Sequence, residues 1–250
     1  MSDFEAKDEN AKKRLKSQWK IPSSIDTQRF IVLAISGKMG SGKNYLLDYC
    51  VKKWLAKQAM SAVSLSYAKA LKQDVMISHG FSFEDVFKTK PTEVRIVLQE
   101  YGMAMRDKHG PNFWIDRLHV DLLYHVDSGC NVVLITDNRF LNEFSYIKDV
   151  FPHNSLLIRV ESPKRVQTKM EEEYRVMKED GVTIDQEKTD TIINKIANHP
   201  SELEGMAYQG WDFIVDNDFE NEINSSQQLI DFISSHPIFN TLHYNMSLRH

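Results

Sequence analysis

Apolar residues follow two rhythms along this chain of 250 residues. Compact apolar or alternating runs at residues 30–35, 62–66, 131–136, 155–160 and 212–216 predict five strands, the third nearly all β-branched or apolar and so buried on both faces. Between them apolar residues recur every three to four positions, the helical period. Leu46/Leu47, Cys50/Val51 and Trp54/Leu55 mark a helix over 44–59; Val94, Val97, Leu98, Tyr101 and Met105 mark one over 92–106. Ile115, Leu118, Leu122 and Val126 mark a third over 112–126, with His109-Gly110-Pro111 as the break before it. Ser162-Pro163 opens a further helix as an N-cap followed by proline, with Val166, Met170 and Met177 on its stripe. Strands alternating with helices predict an α/β fold: a parallel sheet, right-handed crossovers and helices on both faces, with ligands bound at the carboxyl ends of the strands.

Residues 1–28 read as a polar tail, 29–235 as one domain and 236–250 as a second tail. The span 161–201 is highly charged and without a strand, which suits a lid-type insertion or a surface helical hairpin. Length and composition, 42% hydrophobic and 26% charged, are those of a globular domain. No apolar run is long enough to span a bilayer and the polar start differs from a secretion signal, so a cytoplasmic protein without a membrane partner is expected. Cys50 and Cys130 read as buried free thiols of a reducing compartment. A net charge of −4 argues against stable nucleic-acid binding, despite the basic cluster Lys12-Lys13-Arg14-Leu15-Lys16, which reads as a solvated arm.

The chemistry is concentrated at two strand ends. The first strand runs into Gly37-Lys38-Met39-Gly40-Ser41-Gly42-Lys43, with the Gly-x4-Gly-Lys spacing of a phosphate-binding loop (P-loop). Glycines allow positive φ, so main-chain N–H groups can turn inward as an anion cradle; Lys43 reaches the outer phosphates, and the helix beginning at Asn44-Tyr45 adds unpaired donors. Asn44 stands where the pattern has Ser or Thr. Magnesium would then be held through water by the Asn44 amide and by a carboxylate elsewhere, Asp137 being the candidate.

Just beyond the third strand comes Asp137-Asn138-Arg139-Phe140-Leu141-Asn142-Glu143. Asp137 and Arg139 are two apart and share a side in an extended segment; Arg139 and Glu143 are four apart and would be neighbours on a helix. A carboxylate can orient magnesium or an attacking oxygen, and a guanidinium can grip phosphate oxygens in a bidentate fork; a structural ion pair is the plainer alternative.

Together with Tyr67-Ala-Lys69-Ala-Leu-Lys72, Leu98-Gln99-Glu-Tyr-Gly102, Gly110-Pro-Asn-Phe-Trp114, His199-Pro-Ser-Glu202 and Trp211–Asn217, these segments resemble the deoxynucleoside monophosphate kinases of tailed bacteriophages, P-loop kinases related to animal-type phosphomevalonate kinase. The likeness spans about 30–220, with Asn44-Tyr45 where the family often has Asp-Thr. It implies a nucleoside-monophosphate-kinase-like α/β/α fold with a five-stranded parallel sheet and a helical lid. It also implies transfer of the ATP γ-phosphoryl group to a deoxynucleoside monophosphate with Mg2+, in the cytoplasm of an infected host cell. Gly37 to Lys43 would hold the donor, Asp137 and Arg139 would act at the transferring group, and Glu143 would contact or orient the acceptor.

An acceptor site over about 67–128 needs cations, a stacking platform and a reader of the base edge. Lys69, Lys72, Arg95 and Arg106 are the candidate cations, Trp114 the platform and Gln99 the reader. Their plainer roles are solvated lysines, a core tryptophan and a turn cap. In the lid, Arg159, Lys164, Arg165 and Arg175 could neutralise charge, with Arg165 the one chosen. A kinase of another phosphorylated metabolite, or a nucleotide-hydrolysing switch with no acceptor, fits the same P-loop, and a homodimer is left open as the assembly.

Overall fold

The computed structural model describes residues 19–179, 198–218 and 222–247. Its strands are β1 (Ile31–Ser36), β2 (Ala62–Leu65), β3 (Val132–Asn138), β4 (Ser155–Glu161) and β5 (Phe213–Asp216), in the order β2-β3-β1-β4-β5, with every pairing parallel. The five expected runs are therefore one parallel sheet between two helical layers. β1 lies in the middle, and its alternating side chains build both cores. Val32 and Ala34 pack with β3 and β4 against Ile115, Leu118 and Leu122 of α4 (Phe113–Asp127) and Phe144 and Ile147 of α5 (Leu141–Val150). Ile31, Leu33 and Ile35 face Leu46, Leu47 and Leu55 of α1 (Tyr45–Val51 and Lys52–Lys57) on the opposite side.

α1 comprises a π-wound turn, Tyr45–Val51, and a regular end, Lys52–Lys57; the Lys52 N–H reaches back five residues to the Leu47 carbonyl. α2 (Ala68–His79) and α3 (Thr92–His109) follow β2 and stand with α4 at the mouth of the sheet. α6 (Pro163–Glu179) is the first helix of the charged span, and the rest of the expected lid up to residue 197 lies outside the described residues. α7 (Pro200–Ala207) leads into β5, and α8 (Glu222–Ser235) and α9 (Pro237–Ser247) finish the chain.

Two tails differ from expectation. The stretch 236–250 is largely α9, whose Phe239 and Leu242 are buried beneath the α1 side of the sheet. The amino-terminal stretch joins the fold from Trp19, which packs edge-on against Tyr146 with ring centroids 5.0 Å apart and donates its indole N–H to Asp116 at 2.8 Å. Its basic cluster at 12–16 lies outside the described residues. Cys50 and Cys130 are free thiols but only half-buried, because each sits at the rim of its core rather than within it.

Topology decides where chemistry can occur. β1 has β3 on one side and β4 on the other, so the loops leaving β1 and β3 emerge side by side at one carboxyl edge. Ser36 pairs with Asn138 across an irregularity in the register, which sets the start of the P-loop beside Asp137 and Arg139.

Candidate active site

The P-loop takes the conformation its glycines permit. Gly37, Gly40 and Gly42 have φ of +151°, +82° and +83°. A Cβ on Gly37 would come within 2.6 Å of the Val160 carbonyl oxygen, and one on Gly42 would run into the Asn217 amide. That amide is a clamp: its Nδ2 donates to the Ser41 carbonyl at 2.9 Å, and its Oδ1 accepts from Ser225 Oγ at 2.7 Å. The end of β5 and helix α8 thus grip the loop from outside.

Lys43 is buried and folded over its own loop, its Nζ donating to the Gly37 carbonyl at 2.5 Å and the Lys38 carbonyl at 2.7 Å. Burial, reinforced by the nearby Arg139 guanidinium, pulls its pKa down from 10.5 to about 7, against the attraction of Glu202 and Asp137. Phosphates placed here would restore the ammonium, so a nucleotide binding at Lys43 would take up a proton above pH 7. ATP affinity is therefore expected to fall as pH rises from about 7 toward 10, by up to about tenfold per unit, with proton uptake measured by calorimetry in buffers of different ionisation heat. An affinity flat over this range would remove Lys43 from that role.

Asp137 near the end of β3 and Arg139 just beyond it line the same cavity as Lys43. Each Asp137 oxygen accepts a main-chain N–H, from Tyr67 and from Ala68, both at 2.9 Å, so the carboxylate ties the start of α2 to β3. Arg139 forms an ion pair with Glu202 of α7. Although burial opposes its charge, Glu202, Asp137 and Glu143 together hold the guanidinium more firmly protonated than usual.

The expected Arg139–Glu143 side-chain neighbourhood is corrected by the structure. α5 begins at Leu141, so Arg139 is still extended chain and helical spacing does not apply to the pair. Glu143 instead reaches back to accept the N–H groups of Arg139 at 2.8 Å and Phe140 at 3.1 Å, and its other oxygen pairs with Arg106 at 2.7 Å. The Arg106 guanidinium lies over the Phe140 ring, 3.9 Å from its centroid, and also donates to the Pro111 carbonyl at 2.8 Å.

Burial raises the Glu143 pKa from 4.5 to about 7, with Arg106 holding it from rising further. Between those values the folded chain keeps a proton that the unfolded chain has released, so this group's contribution to stability declines as pH rises from about 4.5 through 7. Arg106→Ala leaves Glu143 without its cation. It is expected to cost up to about 3 kcal/mol at pH 8 and clearly less at pH 6, where Glu143 is protonated, as read from denaturant midpoints. An equal loss at both pH values would contradict this assignment.

Lys43, Asp137 and Arg139 line a cavity of about 450 Å³. Lys72, Lys90 and Arg95 line it too, with the Arg95 guanidinium reaching Met39 Sδ of the P-loop at 2.6 Å, and Leu71, Leu98, Gly102, Met103 and Trp114 add apolar lining. Lys90 is a non-glycine residue with φ of +49°, and its carbonyl accepts from Arg95 Nε at 2.9 Å. Burial first, then the charges of Lys72, Arg95 and Arg139, lower its pKa from 10.5 to about 8. Burial lowers that of Lys72 as well. Cations held together at such a cost form a seat for an anion.

Of the other candidates, Gln99, Arg106, Trp114 and Glu143 line this cavity, as do Met39, Gly40, Gly42, Asn44 and Tyr45. Trp114 is only 3% exposed and donates its indole N–H to the Gly102 carbonyl at 3.1 Å, so it is a core side chain that borders the cavity. Lys69 does not line the cavity and pairs with Asp121 at 3.1 Å. Arg165 is likewise elsewhere: its Nε donates to the Asn217 carbonyl at 2.5 Å and its N–H to Asp218 at 3.2 Å, fastening α6 to the end of β5. Gly37, Lys38 and Ser41 border a second cavity of about 550 Å³ under α6, together with Arg159 and Ser162.

Three residues at the site escaped sequence reasoning as site residues: Glu202, Lys90 and Asn217. Glu202 had a signal, since His199-Pro-Ser-Glu is a helix start with an acidic first turn, and His199 does cap α7. Lys90 had only the following proline.

The donor set suits magnesium brought in by a nucleotide rather than a protein cage. Asn44 is exposed at the cavity and Asp137 keeps lone pairs beyond its two amide contacts, while among the described residues no three His, Cys, Asp or Glu side chains gather as a metal cluster.

No family model and no curated protein matches the chain. Among solved structures, the APS kinase of Mycobacterium tuberculosis in complex with AMPPNP and APS is similar at 16% identity and a TM-score of 0.43, over 83% of this chain and 99% of that one. A candidate kinase from Chloroflexus aurantiacus is similar at 14% identity and a TM-score of 0.41, over 83% and 98%. Among the described residues no helix is long and apolar enough to cross a membrane.

Proposed function

We propose that the chain is a P-loop kinase that transfers the γ-phosphoryl group of ATP to a deoxynucleoside monophosphate, giving the diphosphate and ADP. The observation that carries this reading is one cavity lined both by Lys43 and Arg139 and by the further cations Lys72, Lys90 and Arg95. Two anions could meet there, with their charge neutralised by these lysine and arginine side chains. Phosphoryl transfer asks for that: alignment, charge stabilisation and exclusion of water, with little covalent work by the protein.

An acceptor phosphate oxygen attacks the γ-phosphorus, the bond from that phosphorus to the β,γ-bridging oxygen breaks, and ADP leaves with the electron pair. P-loop amides and Lys43 would hold the donor, and the Arg139 fork would follow charge onto the transferring oxygens. Bound magnesium would neutralise the β- and γ-oxygens, with Asn44 and Asp137 reaching its waters. Leu71, Leu98 and Met103 offer an apolar slot for a base and Gln99 a polar edge.

A second reading is a kinase for another phosphorylated small molecule. It is favoured by the burial of Trp114, which reduces the stacking surface, and by the excess of cations. A panel of deoxy- and ribonucleoside monophosphates and phosphorylated non-nucleotide acids, each with ATP and magnesium, separates the two through ADP release. A sharp rise with one or more deoxynucleoside monophosphates supports the first reading, a rise only with a non-nucleotide phosphate supports the second, and acceptor-independent hydrolysis contradicts both.

A further inference from the structure

The mouth of the P-loop holds a negative charge supplied by the chain itself. Glu202, on the first turn of α7, is largely buried where the two cavities meet. One of its oxygens accepts the Met39 N–H at 3.0 Å, and the other pairs with the Arg139 guanidinium. These are a main-chain amide of the P-loop and the cation proposed to grip the transferring group. A carboxylate whose two oxygens have these partners offers the bonding that two oxygens of a donor phosphate would have.

Both cannot be there together. One N–H cannot serve two anions fully, and a buried carboxylate beside a triphosphate would face strong like-charge repulsion at low local dielectric. The arrangement is also built rather than incidental. Gly205 lets α7 lie close to the end of β1, since a Cβ there would be 3.1 Å from Ser36 Oγ. Glu204, two residues further along α7, accepts the Leu141 N–H at 3.0 Å, so α7 is fastened to α5 as well as to the P-loop.

We propose that Glu202 is an internal phosphate mimic, an autoinhibitory latch that seats α7 on the P-loop and holds Arg139 until the donor phosphates displace it. This rests on reading the loop as the donor site. Displacement would free Arg139 for the γ-phosphate as α7 lifts, so the catalytic arginine is handed over only when the donor is in place. The apparent affinity for nucleotide is then the intrinsic affinity reduced by the fraction of molecules with the latch open.

The test uses the full chain and ATP. Glu202→Gln keeps the shape and removes the charge, and is expected to bind ATP about 10- to 100-fold more tightly than the unsubstituted chain, as expected from losing charged hydrogen bonds that only the closed form makes. Equal or weaker binding would overturn the latch. A second measurement needs no variant. Hydrogen exchange at the amides of α7 and at Leu141 is expected to quicken when AMPPNP binds, against the usual slowing, and unchanged or slower exchange would overturn it. If neither protein binds ATP, the donor-site reading falls and the latch with it. If the unsubstituted chain binds and the variant binds no better, the latch alone falls.

Discussion

Lys43→Ala is expected to lower kcat/KM for phosphoryl transfer by about 10²–10³-fold, with weaker ATP binding as part of the loss. Lys43 is buried at the loop that the donor would occupy, and its ammonium is satisfied by two carbonyls of that same loop. Those bonds hold the loop's shape and, on the proposed function, would be exchanged for phosphate oxygens when the donor binds. The alanine variant therefore loses a cation and a brace. Steady-state kinetics with direct ATP titration would show both effects, and a variant retaining more than about half the activity would exclude Lys43 from the donor site.

Arg139→Ala should behave differently. Its turnover is expected to fall by about 10³-fold or more, the scale seen when an arginine stabilises charge in the transition state. Its KM for ATP should change little, because the guanidinium is engaged by Glu202 before the donor arrives and its loss also weakens that competing contact. Arg139→Lys should recover only a small part of the turnover, since an ammonium lacks the planar fork. Equal losses in ATP affinity and turnover would mean that Arg139 is a ground-state contact.

The sheet was legible because its residues answer to local rules. β1, β3 and β4 are built around apolar runs, as doubly buried parallel strands must be, and the glycines of the P-loop need positive φ that few other residues tolerate. Tertiary pairing was less legible. Glu143 and Arg139 are correctly spaced for a helical pair, yet the helix starts two residues too late for it, and Arg106 from α3 takes the carboxylate. Trp114 and Lys69 show the same limit: an amphipathic helix reveals which residues share a face, not whether that face meets a cavity, a core or an acidic neighbour such as Asp121. Glu202 lies 163 positions from the amide it caps and Asn217 lies 176 from the loop it clamps, separations at which spacing in the sequence carries no signal.

C-terminal residues illustrate the converse. Phe239 and Leu242 lie three apart on α9, yet a short apolar stripe at a chain end looks the same whether or not a core awaits it, and here the α1 layer does.

Direct transfer between two anions in one cavity is most plainly tested by following the γ-phosphoryl group itself. In a single turnover with γ-labelled ATP, magnesium and an excess of the best deoxynucleoside monophosphate, the label is predicted in the β-position of the new diphosphate. Label released as inorganic phosphate at the same rate with and without the acceptor would contradict the account.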